Sequence, residues 1–288
     1  FPLPAVQPNL HALPPQANVL FWFGHASYFI QVDGKRILVD PVFSGAASPI
    51  KATTRSFKGT DVIDTAGIPQ IDYLFITHDH WDHLDYETVV AIKSKVKKVI
   101  TGLGTAAHLE YWGYDPAQIV ELDWNQTATL NDGFVVHSTP ARHFSGRGLR
   151  RNGALWMSFV LQTPGMRIFL GGDSGYDTHF KDIGAAHGPF NVAILECGQY
   201  NQWWKYIHMM PEEVLQAAKE LGAKKLLPVH WGKFSLALHP WNEPINRLLA
   251  AAEGGQLPVL HPKIGEQVML QEAQVFERWW DIPSEGDA

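Results

Sequence analysis

Histidines and aspartates are concentrated in one short segment, directly after an apolar run that predicts a buried strand. The segment Thr77-His-Asp-His-Trp-Asp-His-Leu-Asp85 follows Tyr73-Leu-Phe-Ile76, and its candidate ligands are His78, His80, Asp82 and His83. A tight turn can aim these side chains into one space, where imidazole nitrogen and carboxylate oxygen suit zinc, iron or manganese. Burying so many of these groups is costly unless a cation neutralises them. A metal site is therefore favoured over a solvated loop with chance histidines.

Three more candidate ligands repeat this pattern, because each follows an apolar strand-like run. They are His143 after 134–139, Asp173 after 168–172, and His230 after 226–229. A lone histidine or aspartate at a strand end is usually a cap or a hydrogen-bonded polar group. Beside the first cluster, however, these residues complete a set of nitrogen and oxygen ligands large enough for two metal ions.

Composition narrows the class of protein. The chain has 288 residues, a net charge of −6 and a single cysteine, Cys197. The acidic balance argues against a nucleic-acid partner, and one cysteine excludes an internal disulfide or a cysteine-based zinc site. No apolar stretch approaches the ~20 residues that cross a bilayer, so we expect a soluble protein. Because the chain begins at Phe1 without a methionine, an upstream targeting signal is not excluded, and either cytoplasm or periplasm remains open.

Hydrophobic patterning predicts one α/β domain of layered sheets and helices over 19–288, after an irregular lead-in at 1–18. Gly24 and the Asp33-Gly34 pair mark two hairpin turns, and 44–70 is predicted to be a long loop. Predicted strands are 19–23, 28–32, 37–39, 73–77, 98–101, 119–122, 127–130, 134–139, 156–162, 167–170, 191–196 and 225–229. Predicted helices are 86–94, 105–112, 211–221 and 244–252.

The histidine-rich segment resembles the metallo-β-lactamase superfamily, whose His-x-His-x-Asp-His motif matches residues 78–83. The match is closer to one branch, the N-acyl phosphatidylethanolamine-hydrolysing phospholipases D and their bacterial relatives. The segments that carry the resemblance are Gly24–Ser27, Leu38–Ser44, Thr77–Asp85, Thr139–His143, Gly171–Tyr176, His208–Glu213 and Val229–Phe234. Residues 54–70 and 238–240 depart from the branch pattern, and both are expected to border the substrate pocket.

The resemblance implies a four-layer αβ/βα sandwich, the metallo-β-lactamase fold, with two divalent ions at one edge. Zinc is the expected metal, with manganese or iron(II) as alternatives. One ion would take His78, His80 and His143, the other Asp82, His83 and His230, with Asp173 bridging them. A metal-bridging hydroxide would be the nucleophile. Catalytic roles are assigned to Asp82 and to His208, although an exposed histidine near the start of a helix is an equal alternative for His208.

The leading functional prediction is a phosphodiesterase of the N-acyl phosphatidylethanolamine phospholipase D type, acting on a small-molecule or lipid substrate. Candidate substrate-binding residues are Trp203, Trp204, Tyr206 and His25. Aromatic residues there could line an acyl pocket or touch a membrane surface, while packing beneath a loop is the common alternative. His25, on a turn between two predicted strands, is also a candidate to support a metal ligand from behind, with a hydrogen bond within the turn as an equal alternative. A lactonase or other esterase on the same metals, and a non-catalytic metal-binding protein, remain as alternative functions. The sequence leaves the oligomeric state open.

Overall fold

The computed structural model describes residues 2–148 and 151–282 of the chain. Residues 2–18 hold no α-helix or β-strand apart from a bridge between Ala5 and Ile264, and contain one 3-10 turn, Leu10–Ala12. The division into a lead-in and one domain stays a prediction, and the last six residues of that domain lie outside the described ranges.

The first sheet, sheet A, has seven strands in the order β13-β1-β2-β3-β4-β5-β6. They are β1 Val19–Trp22, β2 Tyr28–Val32, β3 Lys35–Val39, β4 Ile71–Ile76, β5 Val96–Gly102, β6 Ile119–Leu122 and β13 Gln267–Met269. The β2–β3 hairpin closes at Asp33 and Gly34, whose φ angles of 46° and 75° suit the predicted two-residue turn. From β3 to β6 the strands run parallel, so their carboxyl ends meet at one edge.

The second sheet, sheet B, has six strands in the order β12-β11-β10-β9-β8-β7. They are β7 Thr127–Thr129, β8 Val135–Thr139, β9 Ser158–Gln162, β10 Arg167–Leu170, β11 Val192–Glu196 and β12 Leu226–Val229. Strands β10, β11 and β12 are parallel, and β8 runs in the same direction because both it and β10 are antiparallel to β9. Their carboxyl ends therefore share one edge of the sheet.

Helices cover the outer faces of both sheets. They are α1 Tyr86–Ile92, α2 Ala106–Tyr111, α3 His179–His187, α4 Pro211–Glu220 and α5 Glu243–Ala252. Side chains from both sheets form the central core, including Phe75 and Phe159, whose ring centroids lie 5.2 Å apart. Helices α1 and α2 pack on sheet A, whereas α3, α4 and α5 pack on sheet B. The predicted four-layer αβ/βα sandwich is confirmed.

Two elements are absent from the sequence prediction. Helix α3 buries only Phe180 and Ile183, so its apolar periodicity is weak, and β13 is a three-residue edge strand. The predicted loop over 44–70 contains no strand or helix, and Cys197 is fully buried. No helix among the described residues is long and apolar enough to cross a bilayer.

Candidate metal centre

All seven predicted ligands come together at the shared edge of the two sheets. Residues 78–83 leave the end of β4, and the other three follow the ends of β8, β10 and β12. The first group is His78, His80 and His143. Nδ1 of His80 lies 2.9 Å from Nε2 of His78 and 3.1 Å from Nε2 of His143. Atoms this close can bind one ion, since metal–nitrogen bonds are about 2.1 Å long.

The second group is Asp82, His83 and His230. Nε2 of His230 lies 3.3 Å from Nε2 of His83 and 3.3 Å from Oδ2 of Asp82. The backbone of His230 has a φ of 70°, in the left-handed region that residues other than glycine rarely adopt. The backbone N–H of His230 donates to the carbonyl of His25. His25 also has a positive φ, of 51°. Strained backbone held by paired hydrogen bonds is typical of functional sites.

Asp173 lies between the two groups. Its Oδ2 is 3.2 Å from Nε2 of both His83 and His230, 3.7 Å from that of His143, and 3.9 Å from that of His78. This is the position that the resemblance assigns to a bridging carboxylate. The ligand roles of the seven residues, and the number of ions, stay predictions.

The donor set suits divalent cations. Burial, reinforced by the charge of His83, holds the pKa of His78 well below its usual range, and burial also lowers the pKa of His143 strongly. These imidazoles are therefore neutral and able to bind a cation. Burial opposes ionisation of Asp82 and Asp173, but the neighbouring histidines hold the pKa of each carboxyl well below its usual range. A dry cluster of imidazoles and carboxylates needs positive charge at its centre.

Asp40 orients His83 and was missed at the sequence level. Its buried Oδ2 accepts hydrogen bonds from Nδ1 of His83 at 2.8 Å and from the Thr77 hydroxyl at 2.6 Å, while Oδ1 accepts from the Thr77 N–H at 2.9 Å. Because a carboxylate can only accept, Nδ1 of His83 carries a proton, and Nε2 is the nitrogen that faces the centre and can bind a metal ion. Asp40 directly follows β3, which is the signal that could have identified it.

His25 lies behind the ligands and outside the cavity beside them. It is fully buried, and its Nε2 donates to Oδ2 of Asp82 at 2.8 Å. Burial and the nearby His230 lower the pKa of His25 to about 3, so its ring is neutral. The structure gives no support to the predicted substrate contact, because Asp82 and His230 separate His25 from the cavity. It positions Asp82 instead.

The cavity next to the ligands has a volume of about 250 Å³. Its lining includes ligand residues together with His208, whose Nδ1 lies 3.1 Å from Oε2 of the buried Glu196. Gln199 and four apolar side chains also line the cavity, the latter being Phe144, Trp204, Ile207 and Leu236. Glu196 was missed at the sequence level, although it ends a predicted strand.

The two neighbouring tryptophans have opposite environments. Trp204 lines the cavity, and its indole N–H donates to the carbonyl of Gln199. Trp203 is 82% exposed and Tyr206 56% exposed, and neither lines the cavity. Packing beneath a loop, the alternative considered for this aromatic cluster, therefore does not describe Trp203 or Tyr206.

Gln199 joins two loops that line the cavity. Its Oε1 accepts hydrogen bonds from the N–H groups of Leu236 and Ala237, and its own N–H donates to Nε2 of His239. The divergent segment 238–240 therefore lies at the rim. Residues 54–70 line no part of the cavity, because this loop packs on Lys233, whose carbonyl accepts from the Phe57 N–H. Only one of the two divergent stretches borders the site.

Comparison with known proteins identifies the family. A family model described as beta-lactamase superfamily domain matches residues 35–231. An uncharacterized protein of Mycobacterium bovis is 42% identical over 98% of this chain and 76% of that protein. The N-acyl-phosphatidylethanolamine-hydrolyzing phospholipase D, mitochondrial, of Saccharomyces cerevisiae is 34% identical over 87% of this chain and 55% of that protein.

A solved structure shares the fold at low sequence identity. It is a novel metallo hydrolase from the archaeon Ignicoccus hospitalis, with a TM-score of 0.66 and 22% identity. The match covers 88% of this chain and 97% of that one. At this identity the similarity supports the architecture alone.

Proposed function

The chain belongs to the metallo-β-lactamase superfamily and is a metal-dependent hydrolase; from this premise we propose that it hydrolyses a phosphodiester of the N-acyl phosphatidylethanolamine type. One observation carries the proposal. A buried cluster of histidines and aspartates and a group of four apolar side chains line the same cavity, so a charged phosphodiester and an acyl chain would both find complementary surroundings. The name of the yeast relative supports the same substrate class.

Two divalent ions held by these ligands would lower the pKa of a water molecule toward neutrality and attract the oxygens of the phosphoryl group. The side chains keep the ligand atoms in place and exclude bulk water from most of the cluster. Asp173 lies nearest to both groups, and its negative charge would offset the repulsion between two cations.

His208 is the residue of this chain best placed to act on the leaving group. Its side chain is 12% exposed and lines the cavity, with Nδ1 turned toward Glu196. In its imidazolium form, with Nδ1–H held by Glu196, His208 would transfer the proton on Nε2 to the departing alkoxide oxygen and be left neutral with its remaining proton on Nδ1, a step worth about 10²-fold or more in rate. Asp82, the other predicted catalytic residue, acts in this proposal as a ligand oriented by His25.

The apolar part of the lining would receive the acyl chain. It consists of Phe144, Trp204, Ile207 and Leu236. Each methylene buried against them would contribute about 0.8 kcal/mol. We therefore expect kcat/KM to rise steeply with acyl length on N-acyl phosphatidylethanolamine analogues presented as monomers or mixed micelles. Replacing Trp204 by alanine should flatten this dependence, while replacing Tyr111, which is 89% exposed on α2, should not.

The first experiment compares bis(p-nitrophenyl) phosphate with a chromogenic lactone, each with and without a chelator. Chelator-sensitive turnover of the phosphodiester, followed by the acyl-length dependence, supports the proposal. Chelator-sensitive turnover of the lactone alone would replace it with an esterase on the same site. An efficiency that stays constant from short to long acyl chains would remove the lipid substrate and leave a hydrolase of small phosphodiesters.

Contact with a membrane surface is part of the same proposal. Trp203 and Leu238, 82% and 90% exposed, adjoin loops that line the cavity. Arg142 lies over the ring of Tyr206 at 4.3 Å, and Lys205 at 5.2 Å. Aromatic and cationic side chains together suit the headgroup region of anionic lipids. The test is sedimentation with phosphatidylethanolamine vesicles that contain anionic lipid. Trp203→Ala should bind these vesicles less than the wild type does, whereas Tyr111→Ala should bind them as well as the wild type. Equal binding by both variants would exclude this contact.

A further inference from the structure

Glu196 is a buried carboxylate next to the centre but outside the predicted ligand set. It ends β11 and is 1% exposed. Its Oε2 lies 3.1 Å from Nδ1 of His208, and its Oε1 accepts the N–H of Met209 at 2.8 Å. Glu196 therefore joins the end of β11 to the loop that carries His208.

His208 has little else to fix its orientation. It lies in the irregular segment between β11 and α4, where its ring stacks on His230 with centroids 5.2 Å apart. Nδ1 is held by Glu196, and Nε2 has no hydrogen-bond partner among residues 2–148 and 151–282. The ring lines the cavity, so Nε2 is the nitrogen available to substrate. Rotation of the ring would move Nε2 out of reach of the substrate.

We propose that Glu196 is a positioning residue that holds His208 with Nε2 facing the cavity. The inference rests on the proposed function, in which His208 acts on the leaving group. Glu196 would make this role of His208 possible. A carboxylate that accepts from the ring at Nδ1 and from the next backbone N–H fixes both the ring and the main chain beneath it.

An alternative role for Glu196 is that of an additional metal ligand, since it lies near Asp173, His208 and His230. Two contacts argue against this role. Both carboxyl oxygens already have a hydrogen-bond partner, Nδ1 of His208 for Oε2 and the Met209 N–H for Oε1. In addition, Glu196 lies 3.7 Å from Nδ1 of His230, whereas Asp82 and Asp173 approach the opposite nitrogen, Nε2. Glu196 is therefore behind the His230 ring as seen from the other ligands.

A double-mutant cycle on the metal-loaded protein tests the proposal. We expect Glu196→Ala to lower kcat for the phosphodiester about 10²-fold with little change in KM, as His208→Ala should. The double variant should be no slower than His208→Ala, because both changes remove the same interaction. Glu196→Gln keeps one acceptor, which can serve Nδ1 when its NH₂ group faces the Met209 N–H, so this variant should lose less activity than Glu196→Ala. If the alanine variant does not fold, Glu196→Met, which also lacks an acceptor for Nδ1 but fills a similar volume, completes the same cycle.

Two further measurements separate positioning from other roles. Elemental analysis should give the same metal content for the wild type and both Glu196 variants. Glu213→Gln is the matched control, because Glu213 accepts the N–H of Met210 at the start of α4 and does not contact His208. Loss of about one equivalent of metal in Glu196→Gln, additive effects in the cycle, or an equal loss of kcat in Glu213→Gln would overturn the proposal.

A readout independent of turnover comes from nitrogen-15 NMR of labelled histidines in the zinc-loaded protein. The signals of His208 are those lost in His208→Ala. They should show a proton on Nδ1 in the wild type and a changed tautomer in Glu196→Ala; unchanged signals would overturn the proposal. If the wild-type protein hydrolyses no phosphodiester, the proposed function fails, while these spectra still decide whether Glu196 orients His208.

Discussion

Replacing Asp40 by asparagine should weaken metal binding without touching any predicted ligand atom. The amide presents one oxygen and one NH₂ group where the carboxylate presents two oxygens. If the NH₂ replaces Oδ2, it faces the Nδ1–H of His83; if the amide flips, the NH₂ faces the N–H of Thr77. The first arrangement favours moving the His83 proton to Nε2, the nitrogen that should bind the metal.

The size of the effect follows from this geometry. Loss of a residue that orients a metal ligand typically costs 10- to 100-fold in metal affinity, about 1.4 to 2.8 kcal/mol. The metal-free protein should also be less stable by about 1–3 kcal/mol, because two buried donors face each other. We expect a competitive titration with a chromogenic zinc chelator to show the first effect, and thermal unfolding of the metal-free protein to show the second.

Asp72→Asn is the matched control for this experiment. Asp72 lies at the opposite end of β4, where it accepts the N–H of Arg36 at 2.9 Å and contacts Lys97, away from the centre. The Asp72→Asn variant should bind zinc as tightly as the wild type does. The reasoning is refuted if Asp40→Asn and Asp72→Asn have zinc dissociation constants within about threefold of each other.

Three further predictions concern the centre itself. Elemental analysis of protein purified without chelator should give close to two metal equivalents per chain; absence of metal together with chelator-insensitive activity would contradict this. Asp173→Ala should lose metal and activity more completely than His208→Ala, because only Asp173 lies between both ligand groups; an Asp173 variant that keeps its metal and most of its turnover would contradict it. Gly198→Ala should lower both metal affinity and melting temperature, since a Cβ would lie 2.2 Å from the carbonyl oxygen of His230, whereas Gly153→Ala, with open space around it, should change neither.

The fold and the ligand set could be predicted from the sequence for the same physical reason. Each candidate ligand directly follows a buried apolar strand, and the carboxyl ends of parallel strands meet at one edge. Asp40 and Glu196 also end or follow such strands, yet a lone acid there has many ordinary explanations. Their partners His83 and His208 lie 43 and 12 residues further along the chain. These contacts exist only in the folded protein.

Which aromatic side chains at the rim of the cavity are exposed could not be predicted from the sequence. Trp203 and Trp204 are adjacent and chemically identical, but Trp204 lines the cavity while Trp203 is 82% exposed. The difference depends on a hydrogen bond from the Trp204 indole to Gln199, which in turn binds the segment 236–239. Contacts between two irregular loops cannot be predicted from short sequence patterns.

The arrangement of ligands across two sheets also has a consequence for biosynthesis. The candidates in 78–83 leave the ribosome together, but His230, which lies 3.3 Å from His83, follows 147 residues later. Until sheet B is complete, the nascent chain carries its densest metal-binding segment without the residues that close the centre. Stable metal loading should therefore occur after translation of most of the chain, and a chain arrested before His230 would expose its histidines to any metal ion available.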